Sequence, residues 1–233
     1  MDTIFNVDNI VWRTLSKLGD LMFLNFLFML CCIPIFTAGA SLTALSYVTL
    51  AMHDGQDGYI ARRFFKSFRQ NFKQATCIWI PMFLIGVALV ADLLILRRSE
   101  GTMVMPLTIC IVVFIVIYCM VFCYMFALLA KFETTVKDNV ANAFRLVISH
   151  ILQTLSMLIV GAGAVILPLI NSTTLMWGML IWLLCGFSLL SFYNTSILRR
   201  IFQKYIPEEE EEEKDPDKWN VDETMPKKEE QAK

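Results

Sequence analysis

Residues 34–75 read PIFTAGASLTALSYVTLAM, then HDGQDG, then YIARRFFKSFRQNFKQA, and this stretch decides the fold because it carries the chain from lipid to water. Pro34 breaks an apolar run, since it lacks an N–H and clashes with the preceding helical turn. Thr37 is placed to cap a new helix. Ala38 to Met52 is apolar but interspersed with Ser41, Thr43, Ser46 and Thr49, the small and hydroxyl residues that permit close helix packing in a bilayer. His53 to Gly58 is a polar turn with glycine at 55 and 58. On a wheel of about 100° per residue, Ile60, Phe64, Phe65, Phe68 and Phe72 fall on one arc and Arg62, Arg63, Lys66, Arg69 and Lys73 on the opposite one. That separation predicts an interfacial helix over 59–75, aromatic face down and cations among anionic headgroups. A nucleic-acid patch or a calmodulin-type target helix would also be basic and aromatic, but a helix tied between two apolar segments favours the membrane surface.

The composition agrees. With 233 residues, 57% hydrophobic and 18% charged, the chain has too little polar surface to cover a soluble globule. Its net charge of −1 conceals an asymmetry: from Glu208 onward there are 12 acidic and 5 basic side chains, against 9 acidic and 15 basic before it. The body is therefore +6 and the tail −7, which reads as a transmembrane domain over 1–206 and an acidic, low-complexity, disordered cytoplasmic tail over 207–233. The N-terminal segment is not read as a cleaved leader. It would be about twice the usual length and carries Asp2, Asp8 and Asp20 where positive charge should dominate.

The fold class expected is all-α, a polytopic helical bundle with amphipathic interfacial helices. Residues 3–17 space Ile4, Val7, Val11 and Leu15 as an interfacial helix with Trp12 at headgroup level. Leu18 to Met52 would be about 50 Å long as one straight helix, against a hydrocarbon core of about 30 Å, so it is broken or bent. A tight hairpin gives six spans, at about 18–33, 38–52, 77–96, 105–130, 146–170 and 174–196; a single kinked span over 18–52 gives five. A second amphipathic piece, KFETTVKDNVANAFR, occupies 131–145.

Orientation follows from where Lys and Arg collect. Residues 53–76 hold five, 131–150 three and 199–204 three, which places all three stretches and the C-terminus in the cytoplasm. The N-terminus is then inside with six spans and outside with five. A weak repeat favours six: RQNFKQA at 69–75 aligns with KDNVANA at 137–143, each followed by two spans, and VDNI at 7–10 offers a third copy.

The apolar start, the IPIFTAGASLTAL break, ARRFFKSFRQNFKQAT, ADLL at 91–94 and KFE at 131–133 together resemble the YesL-like family of Gram-positive bacterial membrane proteins, over roughly residues 5–205. The resemblance implies a small multi-pass protein of the bacterial plasma membrane, often encoded beside ATP-driven carbohydrate uptake systems and their sensors. It carries over no catalytic residues.

The polar residues do not assemble a chemistry. Asp92 and Asn25 are the candidate intramembrane polar residues. Asp92 sits five residues before Arg97, so snorkelling outward and pairing with Arg97 or Arg98 is the simpler reading. Asn25, Gln153 and Asn194 read as hydrogen-bonding glue between helices. His53 and His150 cannot hold a metal alone, and Cys31, Cys32, Cys77, Cys110, Cys119, Cys123 and Cys185 read as small apolar side chains in or beside spans. GxxxxGK[ST], HExxH and GxSxG are all missing, so an enzyme and a cofactor are not expected. The expected role is accessory or regulatory to carbohydrate uptake, with the helices at 59–75 and 132–145 docking transporter subunits or a sensor kinase, and with a homo-oligomer also compatible. The alternative is a small-solute transporter or channel, since broken helices recur in transporters.

Overall fold

The computed structural model describes residues 10–56, 58–132 and 134–204. Among them the protein is built of helices with no strand: α1 (Ile10–Cys31), α2 (Ala38–His53), α3 (Ile60–Leu96), α4 (Val104–Lys131), α5 (Val136–Ser149), α6 (Ile151–Ile166), α7 (Ser172–Ile181) and α8 (Phe187–Phe202). Six helical segments are long and apolar enough to cross a membrane. A first compact unit ends at Leu198. The second begins at Arg199, and its described residues are the last turn of α8 with Gln203 and Lys204. The acidic tail, Glu133 and the proposed repeat at Val7 to Asn9 lie outside the described residues.

Residues 18–52 form two helices. α1 ends where Pro34 prevents its continuation, and a 3-10 turn at Ile35–Thr37 leads into α2. Thr37 precedes α2 as expected, but it gives α2 no side-chain cap. Its hydroxyl lies 2.6 Å from the carbonyl oxygens of both Cys31 and Pro34, so it serves the free carbonyl end of α1. The break is held further by Trp79, whose Nε1–H donates to the Ile35 carbonyl at 2.8 Å.

Three expected boundaries are corrected. No break separates residues 10–17 from the apolar run after them, because α1 is continuous. The surface helix at 59–75 and the span at 77–96 are likewise one helix of 37 residues. The sequence between them changes from amphipathic to apolar, which alters solvation but gives the backbone no reason to stop; Pro81 removes one hydrogen bond inside α3 without ending it. The span placed at 146–170 starts later, because α5 runs to Ser149 and His150 (φ −127°, ψ 45°) separates it from α6. The last span is α7 and α8 joined by a π-helical turn at Trp182–Gly186.

The core sits around α2. Leu21, Leu24, Leu27 and Phe28 of α1 bury against Ala44, Leu45, Val48 and Met52 of α2 and Ile60 and Phe64 of α3. Close approach depends on Gly39, where an added Cβ would stand 2.5 Å from Trp79 Cβ and 2.7 Å from the Ala75 carbonyl oxygen. The buried hydroxyls of α2 bond to carbonyls one turn back, Ser41 to Thr37 O, Thr43 to Gly39 O and Thr49 to Leu45 O, so they enter the core at little desolvation cost. The 3-10 turn at Leu167–Leu169 that follows α6 meets α7 equally closely at Gly178, where a Cβ would stand 2.5 Å from Pro168 Cβ.

Candidate functional site

Of the five cations on the amphipathic part of α3, Arg62, Arg69 and Lys73 are exposed and Arg63 and Lys66 half-buried. Arg63 reaches back over the turn, its Nη1 donating to the Gln56 carbonyl at 2.8 Å and the Gln56 side-chain oxygen at 3.1 Å. Part of the aromatic face packs inside the protein rather than facing outward as the wheel suggested. Phe64 is fully buried in the α1–α2–α3 cluster and Phe68 packs against it, with Phe64, Phe68 and Phe72 forming a file at centroid distances of 6.3 and 5.6 Å. Phe65 remains 45% exposed. The cause is α2, which supplies an apolar partner within the protein, and burial there removes Phe64 from water as completely as a bilayer would. The cations are left as the outer face of a helix whose inner face is fixed.

The two amphipathic regions of the sequence meet. Gln74 Nε2 donates to the Thr134 carbonyl at 3.2 Å, just before α5, which begins at a Thr135 cap whose hydroxyl accepts from the Asp138 N–H at 3.3 Å. Lys137 and Arg145 of α5 are exposed. Asn139 is buried and donates from Nδ2 to the Met125 carbonyl at 3.1 Å, fastening α5 to α4. Asn71, its counterpart in the proposed repeat, bonds instead within its own helix, to Ser67 O at 3.1 Å, while Ala75 and Ala143 are both fully buried.

Asn25 and Asp92 diverge. Asn25 is fully buried, and its Nδ2 donates to the carbonyls of Leu183 at 2.8 Å and Trp182 at 3.2 Å while its Oδ1 accepts from the Ser188 N–H at 3.2 Å. It therefore satisfies backbone groups at the π-helical turn, where the regular ladder is interrupted. No periodicity in the sequence marks that turn, so the partner of Asn25 was not legible. Asp92 is exposed and makes no ion pair with Arg97 or Arg98 among the described residues. The geometry explains the missing pair: residues five and six apart on a helix do not share a face, whereas those three and four apart do.

Further side-chain links join the helices. The Thr49 and Ser191 hydroxyls lie 3.1 Å apart; His53 stacks on Phe192 at 4.0 Å, with Nε2 2.9 Å from the Phe192 carbonyl oxygen. Tyr118 donates to Met82 O at 3.0 Å, and the hydroxyls of Tyr124 and Thr154 are 2.7 Å apart. Between α3 and α4 lies an apolar cavity of about 510 Å³ lined by Phe83, Val87, Val90, Leu94, Ile115 and Cys119, among others. Among the described residues no group of three His, Cys, Asp or Glu side chains is placed to hold a metal ion.

Residues 21–93 match the family described as "Protein of unknown function, DUF624". The matched stretch takes in most of α1, the Pro34 break, α2, the glycine turn and nearly all of α3, which is the part of the chain that forms the buried cluster. No curated protein and no solved structure matches the chain.

Proposed function

We propose that this multi-pass membrane protein is a non-enzymatic accessory or regulatory component of an ATP-driven carbohydrate uptake system in a bacterial plasma membrane, docking its partner through the cationic face of α3 together with α5. The observation that carries this reading is the two-sidedness of α3: Phe64 is buried in the core while Arg62, Arg69 and Lys73 are exposed on the same stretch. A face so anchored is pre-organised, and a charged, rigid surface binds with little ordering cost. The uptake system is suggested by the resemblance to YesL-like proteins, and the cytoplasmic placement of α3, α5 and the C-terminus by the clustering of Lys and Arg.

The transporter alternative has less support. Asp92 lies on an exposed face of α3, whereas the intramembrane carboxylates of transporters face a bundle interior or a water-filled cavity. Affinity purification of the tagged full-length chain from native membranes in mild detergent tests the proposal. Stoichiometric recovery of transporter subunits or a sensor kinase supports it; recovery of the chain alone as a defined homo-oligomer, together with solute movement in liposomes, would replace it by the transporter reading.

A further inference from the structure

We propose that α2 does not cross the bilayer, despite its apolar sequence, but lies along the inner boundary, so that the break at residues 32–37 is on the same face as the turn at 54–59. The inference rests on residues 77–96 being a span, which their apolarity and the loop at 97–103 support, and on depths read from the partners of α2.

The first end of α2 lies against α3 at Ala75 and Trp79, where Gly39 makes its close approach and Trp79 bonds the Ile35 carbonyl. Ala75 and Trp79 precede Leu96, the outer end of α3, by 21 and 17 residues. At 1.5 Å per residue they stand about 32 and 26 Å below it, close to the full hydrocarbon thickness of about 30 Å. A crossing hairpin would instead put residues 35–39 level with Leu96.

The other end gives the same depth independently. Thr49 and His53 touch Ser191 and Phe192, which follow Ser172, the outer end of the last span, by 19 and 20 residues. That is about 29 and 30 Å. A common tilt of up to about 40° shortens all four depths by about a quarter, and unequal tilts separate the two ends by at most about 10 Å, well short of the length of α2. A helix of 16 residues, about 24 Å long, whose two ends share one depth lies in the plane of the membrane. The apolar composition of α2 then has another cause: 67% of the Ile35–His53 stretch is buried in the protein, against 11–28% for the other five apolar segments. It meets protein on nearly every side and would be apolar wherever it lay.

The first half of α3 runs beside α2, so the same placement requires α3 to bend between that half and the span, where Pro81 leaves the helical ladder without one hydrogen bond, and it holds Arg62, Arg69 and Lys73 near the inner boundary. Any crossing before α3 falls to α1.

Accessibility decides the matter. In a chain with its cysteines replaced by alanine, Phe36→Cys, Gln56→Cys and Thr102→Cys are labelled singly with a membrane-impermeant maleimide, in spheroplasts and in inverted vesicles. The proposal requires F36C and Q56C to label from one face and T102C from the other, whichever face that is; an inverted protein would exchange all three and sink only the assigned orientation. F36C labelling with T102C would overturn the proposal, and so would F36C reached from neither face, because a buried site is not at a boundary. If the cysteine-free chain fails to insert, a biotin acceptor peptide placed after Ile33 in the native chain gives the same readout with a cytoplasmic ligase: modification supports the inner placement and its absence, with an acceptor at Gln56 modified, refutes it.

Discussion

Replacing Asn25 by leucine should destabilise the bundle by about 2–4 kcal/mol. The change keeps the number and branching of the side-chain heavy atoms and removes both Nδ2 donations, to Leu183 O and Trp182 O, and the acceptance from the Ser188 N–H. Interhelical side-chain bonds in bilayers average about 0.6 kcal/mol and reach about 1.7, so three of them alone account for about 2 kcal/mol. Some of the three backbone groups are then left unsatisfied in a fully buried place, and each orphan costs about 1–3 kcal/mol unless the helix relaxes. Relaxation is available here, since the π-helical turn at 182–186 could regularise, and that sets the lower end of the range. Asn25→Asp should be at least as damaging, because it retains the acceptor for Ser188 but loses both donors and adds a buried charge. The assay is equilibrium unfolding in mixed micelles or steric trapping in bicelles, with helix content as the readout. N25L within about 0.5 kcal/mol of wild type would refute the clamp, since that is the ordinary scatter of a surface substitution.

Gly39→Val should destabilise by about 1–3 kcal/mol through overpacking, while Gly161→Ala, with nothing within 4 Å of the new Cβ, should be neutral or slightly stabilising in the same assay. Tyr124→Phe should lose about 1 kcal/mol with the hydroxyl pair to Thr154. Asp92→Asn should change stability by less than about 0.5 kcal/mol because the carboxylate is exposed and unpaired with Arg97 and Arg98; a large loss would mean that Asp92 has a partner. Arg69→Glu with Lys73→Glu should lower the anionic lipid retained on purification, by about 1 kcal/mol of binding for each cation removed, as read by native mass spectrometry of the detergent-solubilised protein.

The helices were legible because lipid imposes long apolar runs and because Pro34 and the glycines at 55 and 58 mark breaks that depend on backbone chemistry alone. Their partners were not legible. Amphipathicity shows that Phe64 and Arg62 face opposite ways, but an aromatic face is equally suited to a bilayer and to α2, and the sequence carries no sign of which it meets. The continuity of α3 is not legible for a related reason, since a change in the solvent around a helix leaves the same mark in the sequence as a change in its backbone. Asp92 and Arg97 looked like partners from their closeness in sequence, and helical geometry separates them. Asn25 was recognised as glue, whereas what it holds depends on a local winding defect 157 residues away.

The most direct test of the docking account compares the wild-type chain with Arg62→Glu/Arg69→Glu/Lys73→Glu in the same affinity purification from native membranes, after both have been shown to insert with equal helix content. The account predicts that the wild type retains a stoichiometric membrane partner and that charge reversal loses most of it. Equal retention by the two forms would contradict it.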